Sequence, residues 1–353
     1  MQQSKKVLGL MSGTSLDGVD AALCAFTKTD TGWNYDLLHA ETIPYSEKWK
    51  KTLSDAFEMR GSDLAKLDVD YGRYLGNICK NVFDKTGIKA ELISSHGHTV
   101  FHDPDNRYTL QIGNGANIAF ESGTPVVCNF RVNDIAAGGQ GAPLVPAGDL
   151  HLFNQYQACL NLGGFANISF DYQGKRTAFD ICPVNIILNH LANCLGMDYD
   201  VDGLIGRKGN IFTPLLTRLN ELSFYRQDIP KSLGREWFEK EFLSLVNKTE
   251  ITLNDKFRTV YQHIIDQLVY VFGKYNLTTI MISGGAANNK LIVELLQQES
   301  NVDIILPDRE IIDYKEAVIF GFLGLLRWMN EINCYSSVTG AVKDTSCGII
   351  YLP

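Results

Sequence analysis

The sequence predicts an α/β protein in which one strand–turn–strand unit occurs twice. Near the amino terminus, an apolar run at 7–11, the polar turn Ser12-Gly-Thr-Ser-Leu-Asp-Gly18 and a second apolar run at 19–26 read as two buried strands. The pattern returns at 158–170, where Ala158-Cys-Leu-Asn-Leu162, Gly163-Gly164 and Ala166-Asn-Ile-Ser-Phe170 follow one another. Beyond residue 255, strand and helix patterns alternate, the signature of a sheet flanked by helices. A duplicated architecture would set the two turns facing each other; a chance likeness of two hairpins is the competing reading.

Length and composition set the bounds. At about 150 residues per domain, 353 residues make roughly two domains. We place the division between 1–130 and 131–353, with the carboxyl-terminal tail free to pack back on the first. Hydrophobic residues at 45% and charged residues at 20% are ordinary for a globular chain. The 32 Lys and Arg against 40 Asp and Glu leave a net charge of −8. That balance argues against nucleic acid or an anionic membrane as the main partner. No stretch approaches the ~18 apolar residues of a membrane span, and the run at 7–11 is too short for a signal-peptide core. The eight cysteines are scattered without a C-x-x-C pair, so buried reduced thiols are expected instead of a disulfide or zinc framework. A cytoplasmic protein is the expectation. Glycine, at 31 residues, is the one mild excess over the usual ~7%.

The remaining elements follow in order. Residues 90–94 read as a strand ending at Ser95-His96-Gly97-His98. A glycine-rich passage at 129–148 has no helical or strand period and is expected to cross between domains. Loops of this length are more often functional than idle. A strand ending at Asp180 precedes a helix at 186–195, opened by Pro183 and Asn185. Val260, Ile264, Leu268 and Phe272, spaced by four, predict an amphipathic helix over 255–275. A buried strand at 279–283 runs into Gly284-Gly285, followed by a helix at 290–298 and a strand at 302–306. A long helix at 314–330 carries Gly321 and Gly324 as close-packing positions.

Several motifs bear on chemistry. There is no G-x-x-x-x-G-K-[ST], and Gly113-Asn-Gly115-Ala-Asn-Ile118 does not complete G-x-G-x-x-G. Three glycine turns at strand ends (13–18, 163–164, 284–285) let backbone N–H groups approach phosphate oxygens, and Thr14 and Ser15 add hydroxyls. Asp17 could hold Mg²⁺ through water. Asp180, at a strand's carboxyl end, stands where open α/β sheets place ligands, although a helix N-cap fits the same position. Glu316 starts the last long helix, where a glutamate favoured by the macrodipole is also common. In a strand, His96 and His98 would share a face, which a metal could use. Without Cys, Asp or Glu at ligand spacing, ligand hydrogen bonding or a structural turn explains His96, His98 and His102 better.

These segments resemble one family. Gly9-Leu-Met-Ser-Gly-Thr-Ser-Leu-Asp-Gly18, Ser95-His-Gly-His-Thr99, Gln111-Ile-Gly113, Phe130-Arg131, Ala136-Ala-Gly-Gly-Gln-Gly-Ala-Pro-Leu-Val-Pro146, Asn161-Leu-Gly-Gly-Phe-Ala-Asn167, Pro230-Lys-Ser-Leu-Gly-Arg-Glu236 and Ile282-Ser-Gly-Gly-Ala286 look like the anhydro-N-acetylmuramic acid kinases. The resemblance runs in order from residue 9 to the carboxyl end. It implies a two-domain actin-like ATPase fold (hexokinase/Hsp70/actin, ribonuclease H-like) with an interdomain cleft. It also implies ATP and Mg²⁺, hydrolytic opening of the 1,6-anhydro bridge, and phosphorylation of O6 to give N-acetylmuramate 6-phosphate. Peptidoglycan recycling, amino-sugar catabolism and a tendency to form homodimers come with it.

Residue by residue, the resemblance makes Asp180 the catalytic base. Ser12, Gly13, Thr14, Ser15, Leu16, Asp17, Gly18 and Val19 become the first phosphate loop, Gly163-Gly164 the second, and Gly284-Gly285 the nucleoside-side turn. Arg131, Glu316 and His96 fall near the sugar. A carboxylate of near-normal pKa, ionised at pH 7, could then take a proton from the attacking water. The chain departs from the family's Asp-x-Gly-Pro-Gly-Asn at Asp180-Ile-Cys182-Pro-Val184-Asn185, has His98 where glutamine is common, and has Arg207-Lys208-Gly209 in place of a more neutral run. A regulatory ATP-binding protein of the same fold is the alternative, and a glycosidase using Asp180 and Glu316 would leave the glycine turns idle.

Overall fold

The first strand, β1 (Lys5–Met11), carries Val7, Leu8 and Leu10 almost wholly buried, as a continuous apolar run requires of a central strand. In the computed structural model, which describes residues 4–13 and 16–353, β1 pairs antiparallel with β2 (Gly18–Thr29). β2 in turn pairs antiparallel with β3 (Gly32–Pro44), whose alternating burial marks an edge strand with one wet face. β4 (Leu92–Ser95) lies parallel to β1 on its other side. β5 (His98–Asp103) and β6 (Tyr108–Ile112) form a separate hairpin, and β7 (Val126–Cys128) lies parallel to β4.

The second set begins with β8 (Ala158–Leu162), β9 (Phe165–Tyr172) and β10 (Lys175–Pro183), a run of antiparallel neighbours. β11 (Thr279–Ser283) lies parallel to β8, and β12 (Asp303–Ile305) parallel to β11. The last strand, β13 (Ile349–Tyr351), returns to pair antiparallel with β7. The two sheet orders, β13-β7-β4-β1-β2-β3 and β10-β9-β8-β11-β12, therefore share one plan. In each, three antiparallel strands are followed by two that run parallel to the first. That is the actin-like arrangement, present twice, as the repeated strand–turn–strand pattern predicts.

The chain divides into two compact units, Met1–Asn154 with Tyr314–Pro353, and Gln155–Asp313. The sequence places the division at 130/131. The passage 129–148 does not cross between units: it holds the helix Val132–Ala136 and runs into the helix Val145–Leu152, all within the first. Asp134, fully buried, organises it. Its carboxylate accepts from the Gly141 N–H (2.7 Å), the Thr339 hydroxyl (2.7 Å) and the Cys334 thiol (3.2 Å), and its carbonyl from the Gly139 N–H (2.9 Å). A loop wound on one carboxylate has no period to read. Residues 314–353 belong with the first unit, the return that the sequence reading allows for the tail.

Each unit has its own core. Leu8, Leu10 and Ile93 pack with Tyr71, Leu75 and Ile78 of the helix Gly61–Thr86 in the first. Leu160, Ile168 and Ile280 pack with Ile264 and Leu268 of the helix Leu253–Lys274 in the second. Thr252 caps that helix by accepting from the Asp255 N–H at 3.2 Å. Among the described residues no helix is long and apolar enough to cross a membrane. The last long helix, Arg309–Trp328, begins five residues before the expected 314, so Glu316 lies inside it and not in its first turn. This helix sits hard against the sheet. A Cβ on Gly9 would meet the Ala317 carbonyl oxygen at 2.0 Å, and one on Gly324 would meet Ser94 Oγ at 2.3 Å. Ser94 Oγ also donates to the Phe320 carbonyl.

A Cβ on Gly321 would lie 3.5 Å from its nearest neighbour, an ordinary contact. Gly9→Ala is therefore expected to cost about 1–3 kcal/mol, the overpacking range. Gly321→Ala should be neutral or gain up to about 1 kcal/mol from helix propensity. Urea midpoints compare the two, and equal midpoints would contradict this packing.

Candidate active site

The three glycine turns differ in what they demand. In the first, Ser12 is buried, with Oγ 2.6 Å from the Tyr45 hydroxyl, which lies 2.5 Å from that of Tyr71. Its hydroxyl is thus engaged inside the unit. Leu16 takes the left-handed conformation (φ 60°), which lets the turn reverse. Asp17 is exposed, and its carbonyl accepts from the Tyr45 N–H at 3.2 Å. Gly18 opens β2, where a Cβ would meet the Ile43 carbonyl oxygen at 2.4 Å, and Val19 is already in the core. Gly13 is half-buried; Thr14 and Ser15 lie outside the described residues.

The other two turns come together within the second unit. Gly284 has φ 87°, and a Cβ there would meet Asn161 Oδ1 at 2.3 Å and the Leu162 carbonyl at 2.9 Å. Only glycine fits both constraints. Gly284 thus sits on the end of β8, directly before Gly163-Gly164. Those two glycines accept from the start of the helix Asn185–Asn193: Gly163 from the Asn185 N–H (3.1 Å), Gly164 from the N–H groups of Val184 (2.8 Å) and Ile186 (3.2 Å). Gly285 begins a 3₁₀ turn, Gly285–Asn288, that leads to the helix Lys290–Glu299, capped by Asn289.

Asp180 belongs to the same assembly, on β10. The strand continues past it to Pro183, with its register against β9 broken between Asp180 and Cys182. Such bulges re-aim side chains beside active sites. The next helix has Val184 at its N-cap position, so Asp180 is not a cap. The Asp180 N–H donates to the Lys231 carbonyl at 3.0 Å, and Asp180 Oδ2 accepts from the Leu233 N–H at 2.8 Å. Burial raises its carboxyl to about 6, against the pull of the Leu233 bond. The near-normal value expected from sequence is therefore corrected upward.

Arg131 and His96 form a pair in the first unit. Arg131 donates from Nε (3.2 Å) and Nη2 (2.8 Å) to His96 Nε2, and from Nη1 to the Gly141 carbonyl (2.7 Å). A guanidinium only donates, so His96 Nε2 accepts and Nδ1 carries the proton given to the Gly97 carbonyl at 2.9 Å. Burial and the Arg131 charge hold His96 neutral, lowering it to about 3. With both ring nitrogens occupied, His96 orients Arg131. Burial raises the Glu316 carboxyl, and Lys315 and Arg131 oppose that rise. Lys315 itself pairs with buried Asp149 at 2.7 Å.

The strand face that His96 and His98 would share is corrected. His96 lies before β5, and Gly97 (φ 75°) separates it from His98, so the two do not share a strand face. His98 Nδ1 is 3.5 Å from Ser12 Oγ, and His102 Nδ1 is 3.1 Å from Thr109 Oγ1. Among the described residues no group of three or more His, Cys, Asp or Glu side chains could hold a metal ion. Sequence reasoning missed Asp134, Asp149 and the backbone contacts at 231–233. The block 230–236 was a signal for the last, though nothing in its pattern gave it a task.

A model of the anhydro-N-acetylmuramic acid kinase family matches residues 5–353. The chain belongs to that family. Two similar relatives are the anhydro-N-acetylmuramic acid kinases of Bacillus thuringiensis subsp. konkukian, 32% identical with 98% of this chain and 99% of that one covered, and of Hydrogenovibrio crunogenus, 32% identical with 99% of each covered. Among solved structures, a ROK family glucokinase from Streptomyces griseus in complex with glucose and AMPPNP matches with a TM-score of 0.42 and 11% identity, over 91% of this chain and 99% of that one. The fold assignment rests on strand order and not on this last likeness. As a member of an anhydro-N-acetylmuramic acid kinase family, the chain is an enzyme of the kinase class. Its two departures after Asp180 fall inside: the side chains of Cys182 and Val184 are both fully buried in the second unit's core.

The raised carboxyl has a consequence for stability. The unfolded chain releases the Asp180 proton near 3.8, and the folded chain holds it to about 6. Ionised Asp180 therefore opposes folding, with no effect at pH values below 3.8, a growing one up to 6, and the full one above 6. Asp180→Asn removes this charge from a partly buried site. It should be more stable than the parent at pH 7.5 by on the order of 2 kcal/mol, and equal to it near pH 3.5. Thermal melts at both values test this; an earlier melt of the variant at pH 7.5 would contradict it.

Proposed function

We propose that the enzyme uses ATP to open the 1,6-anhydro bridge of 1,6-anhydro-N-acetylmuramic acid with water and to phosphorylate O6. The product is N-acetylmuramate 6-phosphate, formed in the cytoplasm during peptidoglycan recycling. The observation that carries this reading is Asp180: an aspartate held by two backbone contacts on a strand bulge, one of them to its carboxyl, which burial raises to about 6. At pH 7 about nine-tenths of such a group is ionised, and it is a stronger base than an ordinary aspartate.

Asp180 takes a proton from a water that attacks the anomeric carbon. The bond from that carbon to O6 breaks, and O6 attacks the γ-phosphoryl group as ADP leaves. The bridge opens without a covalent enzyme intermediate. Phosphoryl transfer is largely a matter of positioning and charge stabilisation, the task assigned to the turns at 12–19, 163–164 and 284–285. Arg131, aimed by His96, and Glu316 are assigned to the sugar. The exposed Asp17 carboxylate fits a Mg²⁺ held through water, since Mg²⁺ typically combines one or two carboxylates with substrate phosphates. When bound, it would neutralise charge on the polyphosphate.

Purified protein with ATP, Mg²⁺ and the anhydro sugar should give the phosphorylated product by mass spectrometry. Labelled water should place its oxygen at carbon 1. An unlabelled carbon 1 would rule out the hydrolytic step. Asp180→Asn should lower the rate by at least about 10²-fold, the general-base range. Because the base must be ionised, kcat/KM should fall about tenfold per pH unit below about 6. A flat profile down to pH 4.5 would remove Asp180 from that role.

A further inference from the structure

We propose that the backbone N–H of Leu233 is a positioning group for the reaction, fixing which oxygen of Asp180 accepts the proton. The proposal rests on Asp180 being the base. β10 is the outermost strand of its sheet, and the segment 230–233 runs beside its free edge. The Lys231 carbonyl takes the Asp180 N–H at 3.0 Å, and two residues on, the Leu233 N–H reaches Asp180 Oδ2 at 2.8 Å. Alternate residues of an extended segment face the same way, so two backbone groups clamp one residue. The segment is itself tied down. Lys231 Nζ donates to the Phe224 carbonyl at 3.1 Å and lies 4.4 Å over the Phe224 ring, while the Leu233 side chain is buried.

Two effects follow. The amide stabilises negative charge on Oδ2, which favours Oδ1 as the oxygen that receives the proton. The amide also favours the ionised carboxylate, opposing the burial that raises its pKa. Other titratable groups cannot substitute for it. The Cys182 thiol on β10 is driven far up by burial and stays neutral. Tyr225 is likewise driven up by burial, and the Cys182 thiol adds to that rise. Lys231 is lowered by burial and by Lys274 of the helix Leu253–Lys274, and its ammonium is turned to Phe224.

Leu233→Pro deletes the N–H. The acid limb of kcat/KM should move up by about one pH unit, with kcat falling more than KM rises. Leu233→Ala keeps the N–H and should leave the limb where it is. Should the proline variant fail to fold, the wild-type enzyme with ¹⁵N-labelled leucine answers the question. The Leu233 amide proton, identified as the signal missing in Leu233→Ala, should move with a midpoint near the acid limb, and the movement should vanish in Asp180→Asn. A Leu233 amide that does not titrate, or an unmoved limb in a folded Leu233→Pro, overturns the proposal while leaving Asp180 as base. Wild-type activity in Asp180→Asn overturns both.

Discussion

Taking an ionisable group out of water costs several kcal/mol unless neutral dipoles or a counter-charge meet it, and three such groups anchor the loops of this protein. Asp134 is met by an N–H, a hydroxyl and a thiol, and the glycine-rich passage winds around it. Arg131 is met by a neutral histidine and a carbonyl. Asp180 is met by one amide donated to its carboxylate. In each case the segment supplying the partner is non-periodic, and the need to satisfy the buried charge gives that segment its shape. Gly139 shows how tight the fit is: a Cβ there would meet Asp134 Oδ2 at 2.2 Å.

The repeated sheet supplies the frame on which these charges are set. Both sheets place a reversal between their first and second strands, at 12–17 and at 163–164. The two reversals have diverged. In the first, the Ser12 hydroxyl is tied inward to that of Tyr45, which meets that of Tyr71. In the second, two glycines give their carbonyls to the helix that follows Asp180, so turn, helix and the end of β10 are one hydrogen-bonded piece. A shift of the Gly163-Gly164 turn would be felt at Asp180.

Periodic elements were legible in the sequence because burial imposes a repeat. The strands at 158–170 and 279–283 and the helix Leu253–Lys274 fall within a few residues of their expected places. The passage around Asp134 was not legible, since its order comes from one carboxylate and contacts with Cys334 and Thr339, some two hundred positions away. The domain division was misplaced for the same reason: the tail that completes the first unit is distant in sequence. Of the candidate site, the residue types were legible and their states were not. Nothing in the letters shows that His96 is spent on Arg131, or that burial raises Asp180.

The Asp180 carboxyl illustrates why such a state matters. An aspartate at its ordinary 3.8 is fully ionised at neutral pH but holds a proton weakly, which makes it a poor base for water. Burial alone would strengthen it, yet without limit it would leave the group protonated and unable to act. In the base role proposed for Asp180, the amide against Oδ2 opposes that burial and the carboxyl stands at about 6, where both ionisation and basicity are available near neutral pH. An amide of the main chain is suited to that task. It carries no charge to titrate, and a substitution of the side chain at 233, proline apart, leaves the donor in place.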